Sequence, residues 1–401
     1  MASIQESPYP LVFKVADPDG GAGRAELAGR SDATPIRVEA RALEGMQKEA
    51  LVRVGDGPGW RMVSDEGPYL NGTDLAPFPL AFFTAGTQLS LLSMVARIAR
   101  SRGVELTGLC VIQDNYYSMS GSFLRGDAVG GAMPAATVVQ VESAAPEAIV
   151  RRLVEAAAHE FPAHPVSRDP LRNAFSLTHN DRPRQLGELQ AAEDAGITDP
   201  GPRLQALLPA PPDSFRREII WKGEGAAVVH GVEGGAGSSL SPEQKRTLHV
   251  RGEAQLGEGL AMETRVVLFK PIGSTFHLRA DETAALGGQG LAPPPLAYVS
   301  AGAAFCFMTQ LGRYAEIVKW PLDSCAVVQD NTYETSGSLA AGDLRSAASP
   351  VETHVFLRSG RSDEEARRLV VIGERTCFLH AIMRGAFPTR VGIELNGRPL
   401  E

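Results

Sequence analysis

The feature that most constrains this chain is a long internal repeat. "DEGPYLNGTDLAPFPLAFFTAGTQLSLL", beginning at Asp65, aligns with "DETAALGGQGLAPPPLAYVSAGAAFCFM", beginning at Asp281. The offset of 216 residues holds without a gap through "VIQDNYYSMSGSFLRGD" and "VVQDNTYETSGSLAAGD", giving 25 identities over 63 positions. The same offset pairs "RRLV" at Arg151 with "RRLV" at Arg367, and His164 with His380. Solenoid units run to only about 45 residues, so a period this long is a duplicated domain. The expected division is a first copy over 1–178, a linker over 179–214 and a second copy over 215–401. The linker is polar, rich in proline and glycine, and reads as carrying one short helix.

Each copy has the same order of elements. Alternating segments such as "IRVEARAL" and "TLHVRGEAQL" open it as strands. A loop with "DE" and glycines leads to a long apolar helix begun by prolines, which suit a first turn. A strand, "GLCVIQD" or "SCAVVQD", follows, then a turn rich in Ser and Gly, then another strand. A second helix comes next, written "APEAIVRRLVEAAAHEF" or "SDEEARRLVVIGERTCFLHAIM". The second version carries a Ser-x-x-Glu capping box at Ser362 and Glu365. A final strand, "TRVGIELNG", closes copy two. The fold class is α+β, with long helices packed on antiparallel sheets.

Composition narrows the function. The net charge is −8, so no basic face attracts nucleic acid or an anionic membrane. The run from Pro79 to Ala96 approaches bilayer length, but its Gly, Thr, Gln and Ser favour a buried central helix. "MASIQESPYPLVFKV" lacks a basic end followed by an apolar run, so no signal peptide is expected and the compartment reads as reducing cytoplasm. The four cysteines, Cys110, Cys306, Cys325 and Cys377, form no CxxC. A structural metal site is not expected, and the paired acids at Asp65/Glu66 and Asp281/Glu282 have no histidine at ligand spacing.

The order "DE…GG…PPPLAYVSAGAAFC", then a strand, a GS turn and a second helix bearing a cysteine, resembles the OsmC/Ohr family. The family places its first cysteine eleven residues after the helix proline; from Pro295 that position is Cys306. Cys377 stands at the second cysteine position, with Phe378 where a proline usually follows. The resemblance implies two intertwined domains, here an intrachain pseudo-dimer, with the site at their interface. It also implies a thiol-dependent hydroperoxide reductase, Cys306 attacking the peroxide and Cys377 resolving the sulfenic acid. No bound cofactor is implied; the reductant is an external dithiol or lipoyl group, and the substrate an organic hydroperoxide or another small molecule. Further homo-oligomerisation stays open.

The copies differ at these positions. Ser90 replaces the first cysteine and Phe161 the second, so copy one reads as degenerate and the chain as holding one thiol site. The family's glutamate after the helix proline is Leu80 in one copy and Leu296 in the other. The activating arginine has no clear place: Arg41 and Arg251 are weak candidates. Arg313, seven residues after Cys306 and paired with Arg97, is either a supporting residue or a helix-end surface arginine. His380, one turn after Cys377, is either a base for that thiol or a packed interface histidine. The shared "QDN-x-Y" block reads as turn chemistry, Cys110 and Cys325 as incidental, and Ser90 as a poor nucleophile without a GxSxG elbow. Two other classes remain open: a non-redox cysteine-nucleophile hydrolase or lyase, and a non-catalytic protein that binds an apolar ligand.

Overall fold

The computed structural model describes residues 3–16, 32–193, 196–211, 218–225, 246–257, 261–339 and 341–400. The expected start of the second copy, at residue 215, lies outside the described residues. Among the described residues, seven α-helices run in chain order: α1 (Pro79–Ser101), α2 (Glu147–Glu160), α3 (Pro165–Arg168), α4 (Gly201–Gln205), α5 (Pro295–Ile317), α6 (Asp363–Thr376) and α7 (Phe378–Gly385). The first half contributes strands β1 (Val12–Lys14), β2 (Ala33–Ala42), β3 (Lys48–Val54), β4 (Trp60–Ser64), β5 (Gly108–Ser120), β6 (Val129–Ala132), β7 (Ala136–Glu142), β8 (Ala174–His179) and β9 (Arg182–Arg184). The second contributes β10 (Ile220–Lys222), β11 (Arg246–Leu256), β12 (Met262–Lys270), β13 (Thr275–Ala280), β14 (Ser324–Ser336), β15 (Arg345–Ala348), β16 (Glu352–Arg358), β17 (Arg390–Leu395) and β18 (Arg398–Pro399).

Neither sheet belongs to one half. One runs β1-β4-β3-β2-β14-β16-β8-β9, with β15 beside β14; the other runs β10-β13-β12-β11-β5-β7-β17-β18, with β6 beside β5. The joins between halves are long antiparallel ladders, β2 on β14 from Arg41↔Ala326 to Ala33↔Glu334, and β11 on β5. Each opening set of strands therefore completes the other half's sheet. The sheets are not wholly antiparallel as expected: β8 pairs parallel with β16, and β17 with β7. These closing strands arrive after a helical crossing and join a strand of the other half, where no hairpin fixes an antiparallel sense. The β8–β9 hairpin repeats as β17–β18 and extends past the boundary expected at residue 178.

Helices α1 and α5 cross at the centre. Their crossing is set by Gly86 and Gly302, which stand at the same position in the repeat. A Cβ on Gly86 would lie 2.6 Å from Val299, and one on Gly302 2.8 Å from the Phe83 nitrogen. Only glycine lets two backbones approach so closely. Both helices are buried along nearly their whole length, which agrees with reading the Pro79 run as a core helix.

The "QDN-x-Y" blocks are not turns. They lie within β5 and β14, because alternation places Gln and Asn on the helix side and Asp on the other face. Asn115 donates to Thr84 at 3.0 Å, and Asn331 to Ser300 at 3.2 Å, the equivalent helix position. Asp114 and Asp330 bind arginines of the opposite half in two-point pairs, Arg251 at 2.8 and 2.8 Å and Arg37 at 2.8 and 2.7 Å. The block tethers strand to central helix and one half to the other.

Candidate active site

Helix α5 starts with Pro295 in its first turn and carries Cys306 inward, 2% exposed. The second cysteine does not sit within one continuous helix. The expected helix over 362–383 breaks at Cys377 (φ −69°, ψ 120°), which closes α6 and caps α7. The first half breaks in the same place, at Phe161 (ψ 142°), where Pro162 explains it by forcing the preceding residue out of the helical region. The second half keeps the break with Phe378 in place of proline. The capping box that starts α6 is formed as expected between Ser362 and Glu365.

The break brings the two thiols together. The Cys306 and Cys377 side chains lie within hydrogen-bond reach of each other, and both are free thiols. Cys377 is held far above the ordinary thiol range, first by burial and then by the contact with Cys306 and its charge. The amides of Leu379 and His380 lie near its sulfur and favour the thiolate, but form no capping hydrogen bond.

A narrow cavity of about 20 Å³ lies against Cys306, enough for roughly one water-sized molecule. Its walls come from both halves: Glu66, Tyr69 and Leu80 from the first, and Leu268, Thr309 and Phe378 from the second. Leu80 is the position where the resemblance calls for a glutamate. The carboxylate actually present is Glu66, from the "DE" loop. Its neighbour Asp65 organises that loop, accepting from the amides of Thr73 and Leu75, both at 3.1 Å. Glu66 instead reaches the opposite central helix, accepting from Thr309 Oγ1 at 2.8 Å and from the Tyr69 hydroxyl at 3.1 Å. Burial raises its carboxyl above the usual range, against the pull of Lys48. The repeat reproduces this contact as Ser93 on Glu282.

Thr309 also borders a much larger cleft of about 1050 Å³, whose walls include Arg41, Lys48, Met308, Trp320 and Cys325. The thiol cavity thus adjoins a space of ligand size. Lys48 and Tyr117 are the residues that sequence reasoning missed. Both are buried; Lys48 lines the large cleft, and the Tyr117 ring lies 5.7 Å from that of Phe378 in the wall of the thiol cavity. Lys48 had a signal: alternation puts it on the core face of β3 with Ala50, Val52 and Val54, an unusual place for an ammonium. Tyr117 was visible in the shared block but was read as part of a turn.

The other expected supporting residues lie elsewhere. Arg313 is buried with its guanidinium 4.9 Å from the centre of the Phe123 ring, about 10 Å along the helix from Cys306. Arg41 binds Glu49 at 2.6 Å, and Arg251 binds Asp114. His380 is fully buried with its ring against Phe175 and Phe307, and neither ring nitrogen has a hydrogen-bond partner. Burial, helped by the charge of Arg384, pushes its pKa down to about 3, so the ring is neutral near pH 7. Cys325 faces the large cleft, and burial pushes its thiol up to about 12. Cys110 is half-buried on β5. In the first half, Ser90 accepts from the Ala163 amide at 3.3 Å and Phe161 stacks on His164. No group of three metal-ligating side chains occurs among the described residues.

Comparison with known proteins gives three results. The family described as OsmC-like protein matches residues 288–392. No curated protein sequence matches the chain. Among solved structures, an OsmC-like hydroperoxide resistance protein from Jannaschia sp. CCS1 is 23% identical, covering 38% of this chain and 96% of its own, with a TM-score of 0.26. A second, described as an organic hydroperoxide resistance protein from Vibrio cholerae with captopril in one active site, is 23% identical. It covers 34% of this chain and 85% of its own, with a TM-score of 0.22. The OsmC-like match at residues 288–392 spans about a quarter of the chain and includes both Cys306 and Cys377.

Proposed function

We propose that the chain is a thiol-dependent hydroperoxide reductase with one active site, built by two OsmC-like halves that act as a covalent pseudo-dimer. The halves correspond to the repeat, 1–178 and 215–401, joined through 179–214. The observation that carries the reading is the meeting of the Cys306 and Cys377 side chains at the helix break. A second sulfur beside the first supports this reading, because a sulfenic acid must be trapped before further oxidation.

The reaction runs in three balanced steps. The Cys306 thiolate attacks the terminal oxygen of ROOH; the O–O bond breaks, leaving Cys306–SOH and RO⁻, which takes up a proton to leave as ROH. The Cys377 sulfur attacks the sulfenic sulfur, and water leaves as the disulfide forms. An external dithiol then reduces the disulfide and is itself oxidised to a disulfide. A neutral, unpartnered His380 ring fits a packing role better than that of a base.

A Cys377→Ser variant tests the sequence of events. Treated with cumene hydroperoxide and dimedone, it is expected to give a dimedone adduct on Cys306 and to stop after one turnover. Unchanged steady-state turnover by the variant would contradict the resolving role and favour a non-redox cysteine nucleophile. Absence of any adduct on Cys306 would remove the peroxidase reading.

A further inference from the structure

Neither Cys306 nor Cys377 lines the cleft of about 1050 Å³, so the thiol chemistry does not account for it. Its floor is one face of α5, where Met308, Gly312 and Glu316 recur at every fourth residue over about 12 Å. Opposite lies the turn between β2 and β3, ending at Lys48. The segment between the halves closes a third side with Gly201 and Gln205 of α4. That helix is fastened to the first half by Arg203 on Glu39 at 2.8 Å and by Leu204 packed with Phe13 and Leu51. The cleft is therefore built from both halves and the chain between them, and it has the size of a small-molecule site.

Three residues of its wall differ from their counterparts in the repeat. Lys48 pairs with Ser64, and Met262 with Ala280, in equivalent hairpins, so Met262 is the counterpart of Lys48. Lys48 is 3% exposed; its ammonium donates to the Met46 carbonyl at 2.5 Å and has no carboxylate within ion-pair distance among the described residues. A buried cation without a paired anion is costly. The second residue is Gly312, where the other half has Ala96. A Cβ there would meet nothing nearer than the Met46 sulfur at 3.9 Å, so packing does not demand glycine. Glycine inside a helix is destabilising relative to alanine, and here it leaves open space in the cleft floor. The third is Trp320, where the other half has Val104. Its ring is held beside the cleft by Tyr314, at 6.0 Å between centroids, and by the Arg361 guanidinium at 5.6 Å. A general structural need for these residues would apply to both halves.

We propose that the cleft binds an aromatic carboxylate, with the carboxylate on the Lys48 ammonium and the rings over Gly312 beside Trp320. The ligand supplies the anion that Lys48 lacks. Arg41, also in the wall, is already held by Glu49 at 2.6 Å, so the charge falls to Lys48. Two of the wall's own carboxylates are turned to other partners: Asp199 accepts from the Gly201 amide and Glu316 from Asn71, both at 2.8 Å. Burial lowers the Lys48 pKa against the pull of Glu66 and Asp65, and a carboxylate beside it restores the charge. No step uses the thiols, so the site stands apart from the peroxidase reading.

The test is isothermal titration of the full chain with naphthoate and with naphthylmethanol, its uncharged analogue, in wild type, Lys48→Met and Gly312→Leu. Methionine is what the equivalent hairpin already holds, and circular dichroism establishes folding. The proposal predicts that wild type binds one naphthoate per chain, roughly tenfold more tightly than the alcohol. Lys48→Met should weaken naphthoate roughly tenfold and leave the alcohol unchanged, whereas Gly312→Leu, which fills the floor, should weaken both. No saturable naphthoate binding up to about 1 mM would overturn the proposal, as would equal naphthoate affinity in wild type and folded Lys48→Met. If Lys48→Met does not fold, equal affinity of wild type for acid and alcohol overturns it instead. Because no peroxide is present, failure here is separate from failure of the peroxidase reading, which is read from the Cys306 dimedone adduct.

Discussion

The two halves of the chain repeat the same order of elements and differ in their cysteines. At equivalent places one half has Ser90 and Phe161 and the other Cys306 and Cys377. Both serine and cysteine are buried on the central helix, and both second positions sit at the same helix break. The difference teaches that neither thiol is needed to form the helix, the crossing or the break. The Ser90 hydroxyl uses the Ala163 amide, and the repeat puts Leu379 in that place beside Cys377. Cys306 therefore replaces a group that satisfies a backbone donor with one that contacts a second sulfur.

Making the halves alike is the strongest way to test that difference. Cys306→Ser, which copies Ser90, is expected to lower peroxide turnover by roughly 10³-fold or more. Folding should survive, because serine already occupies the equivalent helix position; an equilibrium urea titration with a midpoint near wild type checks this. A large loss of stability would show that the two sites are less alike than the repeat implies.

The next comparison concerns what the halves must keep in common. Gly302→Ala is expected to cost roughly 1–3 kcal/mol in urea unfolding, because the added Cβ meets the Phe83 nitrogen at 2.8 Å. Gly86→Ala should cost a similar amount, since its Cβ meets backbone and side chain of the other helix at 2.6 Å. A neutral result at either glycine would mean that the helices do not cross there.

The paired histidines sharpen the comparison at low pH. The folded pKa of His380 is about 3, against an unfolded value of 6.5. The unfolded chain binds more protons in this window, so stability rises with pH from about 3 to 6.5 and is lost as pH falls through it. By pH 5 this amounts to roughly 2 kcal/mol, and His380→Phe should remove that part of the acid sensitivity. Melting curves at pH 7 and pH 5 read the difference. An unchanged acid sensitivity in His380→Phe would place a hydrogen-bonded, not an apolar, environment around the ring. The smallest effect is expected between the halves at the surface. Arg251→Ala removes one of two partners of Asp114, leaving His249 at 2.6 Å; burial raises that carboxyl, and the hydrogen bonds of Arg251 and His249 together hold it below the usual carboxylate range. For a partly exposed pair this is worth about 1 kcal/mol or less. The contribution is present at neutral pH and fades as pH falls below about 4, so wild type and variant should converge in acid.

How much of this was legible follows from what the sequence repeats. The duplicated "PLA…AG" helices were readable because proline, apolar length and the absence of charge leave few alternatives. The proposal for Cys306 and Cys377 starts from their places relative to Pro295 and to the second helix. The exchange of strands between sheets was not, because alternation fixes which face of β2 is buried and not which strand lies beside it. The parallel closing strands were missed for the same reason. "QDN-x-Y" was misread as a turn because Asn, Asp and Gln disfavour strands in isolation; here each polar side chain is satisfied by a central helix or an arginine from the other half. Lys48 was missed because the large cleft it borders is lined from both halves, which one copy read alone does not bring together.

The central claim is that two halves make one thiol site in which Cys306 and Cys377 act together. Peptide mapping of the wild-type chain after one equivalent of cumene hydroperoxide tests it most directly. The account predicts one disulfide per chain, joining Cys306 to Cys377, with Cys110 and Cys325 still reduced. Two thiols that remain reduced under excess peroxide, or a disulfide formed by any other pair, would contradict it.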